Sequence, residues 1–260
     1  MSALSDTVVR VEQCGEVRRL VLNRPRQRNA LNAVLVDALT AAVIEAEHDP
    51  ATRAVLVTGA GPGFCAGADL RHLLALSEAG ESPVPFLRTV SGLTRRIELS
   101  PLPVVAVLHG HAIAGGLELA LACDAVLAET GTLIGDGHLR NHLVPGAGSA
   151  VRMRRKLGDS LGRWLGLTGE LLPAERFLAA GWLHAVVEPG HGVDEGLRVA
   201  GVLAAASNPA QAAFKRMFGV LDDEPAVEAG LRLELDEFDR HWSAHDVPDQ
   251  LRRFFAGRPS

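Results

Sequence analysis

Two β-branched runs, Val8–Val11 and Val17–Leu22, flank Cys14-Gly15 near the start of the chain. Apolar runs of that length separated by a glycine predict a hairpin. The next segment has helical spacing, with Val34, Leu35, Ala38, Leu39, Ala42 and Val43 falling on one face of Ala33–His48. Asn32 is placed to cap that helix. Ala54-Val-Leu-Val-Thr58 reads as a short buried strand, followed at once by the glycine-rich stretch Gly59–Gly67. A helix is then expected from about Asp69, with Asp69 as its N-cap. Ser77–Pro85 holds Gly80, Ser82, Pro83 and Pro85 and reads as a loop. Further on come a helix over about Phe86–Leu99, a strand Val104–Leu108, a second glycine-rich turn Gly110–Gly116, a helix through Cys123 and a strand Asp124–Ala128. Strand, glycine turn and helix thus occur twice in succession. The remaining pattern is mostly helical, in Ser149–Leu157, Pro173–Ala180, Val193–Ala206, Pro209–Phe218 and Ala226–Trp242. An α/β core with a helical C-terminal part follows.

Composition narrows the class. The chain has 260 residues, 47% of them apolar, enough for one full core. A net charge of −5 gives no broad field for nucleic acid or an anionic membrane. Two basic clusters, Arg24/Arg26/Arg28 and Arg152/Arg154/Arg155/Lys156, read first as solvated faces. The three cysteines, Cys14, Cys65 and Cys123, are far apart and form no CxxC pair. That argues against a disulfide framework or zinc knuckle and for a reducing compartment. The N-terminus has no signal-peptide pattern, and no apolar stretch reaches membrane-spanning length. A cytoplasmic protein is expected.

The two glycine-rich turns suggest chemistry. A turn that opens a helix leaves unpaired N–H groups in a field that favours negative charge. A dinucleotide site is the first alternative, but no GxGxxG follows the first strand and no GxxxxGK[ST] occurs. Two such turns at the ends of neighbouring strands can aim two donors at one oxygen, as an oxyanion hole does.

The residues of these turns carry a resemblance. Gly63-Phe-Cys-Ala-Gly-Ala-Asp-Leu70, Gly110-His-Ala-Ile-Ala-Gly-Gly-Leu-Glu-Leu-Ala120 with Cys123-Asp124, and Val144-Pro-Gly-Ala-Gly148 resemble the enoyl-CoA hydratase/isomerase, or crotonase, family. Leu22-Asn-Arg-Pro-Arg-Gln-Arg-Asn-Ala-Leu31 and Leu167-Thr-Gly-Glu170 match as well, in order and over nearly the whole chain. The resemblance implies an α/β fold with a ββα spiral core over residues 1–195 and a helical oligomerisation part over 196–260. It implies a homotrimer or dimer of trimers acting on acyl-CoA thioesters, with no metal or redox cofactor, coenzyme A being part of the substrate. Oxyanion amides are implied at Ala66 and Gly115, and the family's catalytic glutamate at Glu118. Coenzyme A contacts are implied at Arg26, Arg28, Ala30, Ala68, Asp69 and Leu70, with Lys215 reaching a neighbouring subunit's ligand.

Glu118 also stands out on its own. It lies three residues after Gly115, one helical turn along the same face, inside an otherwise apolar helix where an idle carboxylate is costly. The blander alternative is a salt-bridged surface glutamate. Hydratases of the family carry a second glutamate seven residues before the turn's proline, where this chain has His138. A histidine there can give or take a proton near neutral pH, orient water, or hold a polar acyl substituent. β-Diketone hydrolases of the family also place histidine there, but carry an aspartate where this chain has Ala147 and lack the glutamate that Glu118 represents. A metal held by His138 and His142 is disfavoured by Gly135 and Gly137 and by the absence of HExxH. Ser149 lacks a GxSxG elbow and reads as a helix N-terminal residue; Cys65 reads as a small side chain in a tight turn. The expected activity is hydration of a 2-enoyl-CoA. Isomerisation by Glu118 alone, another acyl-CoA reaction such as hydrolysis, and non-catalytic acyl-CoA binding are the alternatives.

Overall fold

The computed structural model describes residues 7–206, 208–221, 224–244 and 247–256. The hairpin forms from β1 (Val9–Cys14) and β2 (Val17–Leu22), with Cys14 opposite Val17. Gly15 takes the left-handed φ of +61° in the two-residue turn. A 3₁₀ turn at Pro25–Gln27 leads to α1 (Ala33–His48), which Asn32 caps by accepting from the Leu35 amide. Then follow β3 (Ala54–Gly59), α2 (Leu70–Glu78), α3 (Val84–Leu99), β4 (Val104–Leu108), β5 (His111–Ile113), α4 (Gly115–Leu121), β6 (Ala125–Glu129) and β7 (Leu133–Gly135). A second 3₁₀ turn, His138–Asn141, precedes α5 (Ser149–Leu157) and α6 (Asp159–Thr168). β8 (Leu172–Pro173), α7 (Ala174–Ala179), β9 (Ala185–Val187) and α8 (Gly192–Ala204) complete the sheets and their cover. The last helices are α9 (Asn208–Leu221), α10 (Glu224–Ala244) and α11 (Val247–Ala256).

The main sheet runs β1-β2-β3-β4-β6-β9 and is parallel after the hairpin; a small second sheet runs β5-β7-β8. Strand parity explains why Ala54–Val57 of β3 and all of β4 are apolar. Val55, Val57, Val104 and Ala106 enter the larger core with α1 and α3, whereas Leu56, Val105 and Val107 face a smaller cluster beneath α8. Both faces are covered, so neither position can be polar. Gly196 lets α8 sit close, since a Cβ there would stand 2.4 Å from a Val107 methyl.

Several elements differ from the expected pattern. The second glycine turn is not all turn, because β5 lies inside it and pairs with β7. α6 escaped notice because Leu161 and Leu165 turn inward while Trp164 and Leu167 lie exposed, breaking a one-sided stripe. The apolar face of α10 is covered within its own chain: Leu235 and Phe238 join the core, and the helix packs on α3 and α5. The large apolar side chains that stay exposed include Trp164 and Leu167 on α6 and Phe214 and Phe218 on α9. No described helix is long and apolar enough to cross a membrane.

Candidate active site

β3 and β4 are parallel neighbours, so the two glycine turns leave the sheet at the same, C-terminal end of the strands. Bridging Cys65 to Ala112, with the Ile113 amide donating to the Cys65 carbonyl at 3.0 Å, fixes one turn against the other. Gly116 is required at that approach, because a Cβ there would meet the Cys65 carbonyl oxygen at 2.3 Å. Fully buried Asn29 ties in the segment after β2: its amide donates to the Ala60 and Gly63 carbonyls, and its oxygen accepts from the Arg24 amide.

The amide geometry corrects the sequence expectation at one residue. The Ala66 N–H donates to the Arg28 carbonyl at 3.0 Å and is not free for a ligand. Two residues on, Leu31 makes a parallel bridge with Ala68, donating to the Gly67 carbonyl and accepting from the Asp69 amide. Those bonds turn the intervening Ala68 N–H the other way, and it has no backbone acceptor among the described residues. The Gly115 N–H likewise has none, as the first residue of α4. A Cβ built on Gly115 would lie 3.3 Å from the Ala68 nitrogen, so the two amides are close neighbours. Ala114, between them and β5, holds a strained φ of +50°.

Ala68, Gly115, Glu118 and His138 border one small chamber of about 20 Å³, walled by apolar side chains that include Leu87, Leu143 and Phe238. That volume accommodates one water-sized group. Glu118 is almost fully buried, and the amides of Ala147 and Ser149 both donate to its Oε1 at 3.0 Å. Both bonds fall on one oxygen and leave Oε2 for chemistry. Burial pushes the Glu118 carboxyl above its usual range, aided by Asp136 and opposed by His138 and the two amides.

His138 Nδ1 lies 3.0 Å from Asp136 Oδ2, at ion-pair distance but off the line of a directed hydrogen bond. Burial alone would lower the imidazole pKa, but the negative charges of Asp136, Glu118 and Glu234 outweigh it and push it up to about 9. The same attraction holds Asp136 below the usual carboxylate range, against the effect of its own burial. His138 is therefore a cation at neutral pH, rather than a group poised near 6.5.

The turn that holds Glu118 is itself held by residues the sequence reading passed over. Arg152, expected on a solvated face, is about 1% exposed; its guanidinium donates to the Ala147 carbonyl at 3.1 Å and pairs with Glu98 at 3.0 Å. Lys156 of the same cluster points to the Cys123 carbonyl. Glu234 of α10 accepts from the Gly148 and Val151 amides. A signal for Glu234 existed: it sits within the stripe Leu231, Leu235 and Phe238, where a surface glutamate does not belong.

Outside the chamber, a groove of about 600 Å³ reaches the surface. Arg26, Arg28, Ala30, Ala68, Asp69 and Leu70 all line it, as does Ala66. Arg71, Arg140 and the Phe254–Phe255 pair of α11 close its far side, with the Arg71 guanidinium 4.6 Å from the Phe255 ring centre. Asp69 pairs with Arg24 at 3.0 Å and caps α2 through the Arg71 amide. Lys215 is elsewhere: it donates to Asp124 at 2.6 Å and to the Leu102 carbonyl, and borders neither space. Cys65 is buried, with its thiol pushed up to about 12 by burial, which suits a packing residue and not a nucleophile. No cluster suited to a metal occurs among the described residues.

Paired parallel-strand turns, two amides without a backbone acceptor among the described residues and a carboxylate one helical turn away make a site suited to a developing oxyanion. The family model described as enoyl-CoA hydratase/isomerase matches residues 12–259, and the chain belongs to that family. A Rhizobium meliloti protein named "Probable enoyl-CoA hydratase" is 31% identical over 248 residues, 95% of each chain. The crystal structure of an enoyl-CoA hydratase/isomerase from Mycobacterium paratuberculosis superposes with a TM-score of 0.87 at 26% identity, covering 95% of this chain and 98% of that one. An enoyl-CoA hydratase from Mycobacterium tuberculosis H37Rv gives 0.76 at 33% identity, covering 91% and 99%.

Proposed function

We propose that the chain adds water across the C2=C3 bond of a 2-enoyl-CoA thioester. The observation that carries this reading is the anchoring of Glu118 by two amides at Oε1, with Oε2 free in a chamber shared with the Ala68 and Gly115 N–H groups and the His138 cation. Ala68 and Gly115 receive the thioester oxygen. Glu118 takes a proton from water as its oxygen bonds to C3, and the π electrons move through C2 into the thioester as an enolate. Charge on that oxygen is stabilised by the two amides, each worth about 2.7–4 kcal/mol in comparable sites. A proton delivered to C2 from the Glu118–His138 pair restores the thioester. The outer groove, with Arg26, Arg28, Arg71 and Arg140, suits the phosphate-bearing end of coenzyme A.

One observation favours a second reading. His138 holds its proton to about pH 9, so Glu118 is the base left in the chamber, as a one-base isomerase moving a proton between C2 and C4 requires. A panel of 2-enoyl- and 3-enoyl-CoA esters separates the two. Loss of the conjugated thioester absorbance with 2-enoyl substrates is expected, and Glu118→Gln should lower it by about 10²–10⁴-fold while acyl-CoA still binds. Gain of conjugation from 3-enoyl esters, without hydration, makes the chain an isomerase. Binding without any turnover makes it a binding protein.

A further inference from the structure

Glu234 belongs to α10, far in sequence from the turns that carry the candidate chemistry, yet its side chain ends at the start of α5. The Gly148 amide donates to its Oε2 at 2.7 Å and the Val151 amide to its Oε1 at 3.1 Å. The alternate amides, of Ala147 and Ser149, donate to Glu118. One helix start is thus shared between two buried carboxylates, with successive peptides pointing to opposite owners. The Ala147–Gly148 peptide is held at both ends, its N–H by Glu234 and its carbonyl by Thr94 and Arg152. Four residues along α10, on the same helix face, Phe238 walls the chamber that Glu118 enters.

A buried helix cap is the plain reading of Glu234, and a neutral side chain would serve as a cap with less repulsion from Glu118. The carboxylate is the expensive choice. Burial and the charge of Glu118 push Glu234 up to about 7, against its amide bonds, and its own negative charge helps raise His138. The charged groups around it are Glu118 from α4, Asp136 and His138 between β7 and α5, and Arg152 of α5 paired with Glu98 of α3.

We infer that Glu234 is a positioning residue, which locks the α5 turn against Glu118 and brings a second negative charge to bear on the proton-transfer pair. The inference rests on Glu118 and His138 being that pair. It assigns the C-terminal helices a part in the chemistry, since α10 must be seated before the turn is complete.

Glu234→Gln tests this by removing the charge at nearly constant volume. Without it, His138 releases its proton more easily, so the alkaline limb of the pH–rate profile should move to lower pH, on the order of one unit. A cap alone would lower stability or the plateau rate without moving that limb. Independently of turnover, titration of the His138 ring nitrogens by ¹⁵N NMR, assigned with His138→Gln, should show the same downward shift. If no acyl-CoA is turned over, the proposed reaction fails, and the NMR titration still decides the role of Glu234. An unmoved His138 titration in folded Glu234→Gln overturns the inference. Should that variant not fold, Glu234→Asp keeps the charge and shortens the reach. Its His138 titration should then stay within about a few tenths of a unit of the parent while turnover falls, and a displaced titration overturns the inference.

Discussion

His138 shows how far a neighbour can move a side chain from its reference chemistry. Next to Asp136 it keeps its proton to about pH 9, so it is set to donate and not to accept. Activity should therefore fall on the acid side as Glu118, raised above 4.5 by burial, gains a proton, and on the alkaline side as His138 loses one near 9. kcat/KM measured across that range should show both limbs, and His138→Gln should remove the alkaline one; a limb near 6.5 instead would mean that Asp136 does not hold the imidazole. Folding has the matching sign, because the His138 contribution is present below 6.5 and lost as pH rises through about 9. Glu118 could be found from sequence because a carboxylate is out of place in an apolar helix, and His138 because the family resemblance puts a glutamate at its position. Ala68 could not be told from Ala66 that way. Which amide is free depends on the bridge to Leu31, a partner far along the chain.

At the level of elements, α5 bears the heaviest electrostatic load. Its start receives Glu118 and Glu234, no side chain of its own caps it, and Arg154, Arg155 and Lys156 fill its last turn. Arg152 crosses beneath the start to Glu98, and Thr94 donates to the same Ala147 carbonyl. Arg152→Leu removes the buried guanidinium and leaves Glu98 with Arg95 alone. A loss of about 3 kcal/mol is expected in urea unfolding, with a fall in turnover as the Ala147 peptide loosens. An unchanged midpoint would mean that the pair only replaces solvent. The long helices and the five longer strands, β1, β2, β3, β4 and β6, are legible because each is long enough for its pattern to show. β5, β7, β8 and β9 span two or three residues each, too short for a period to appear. Their pairing is a property of the packed chain. The stripe on α10 tells only that something covers it, and α3 and α5 of the same chain pack against that helix.

The whole molecule separates attraction from chemistry. Exposed arginines line an open groove, whereas the carboxylates, amides and imidazole that would do the chemistry sit in a nearly closed chamber behind Ala68. Dissolved ions distinguish the two spaces. At about 0.15 M salt, charges beyond roughly 8 Å of open solvent scarcely sense one another, while buried groups are little affected. Raising ionic strength should therefore raise KM for a coenzyme A ester several-fold and leave kcat nearly constant. A kcat that fell in parallel would mean that water and ions reach the chamber during turnover. Within that limit, cellular salt and polyanions would govern how often the enzyme is occupied, and only its interior would govern how fast an occupied enzyme works.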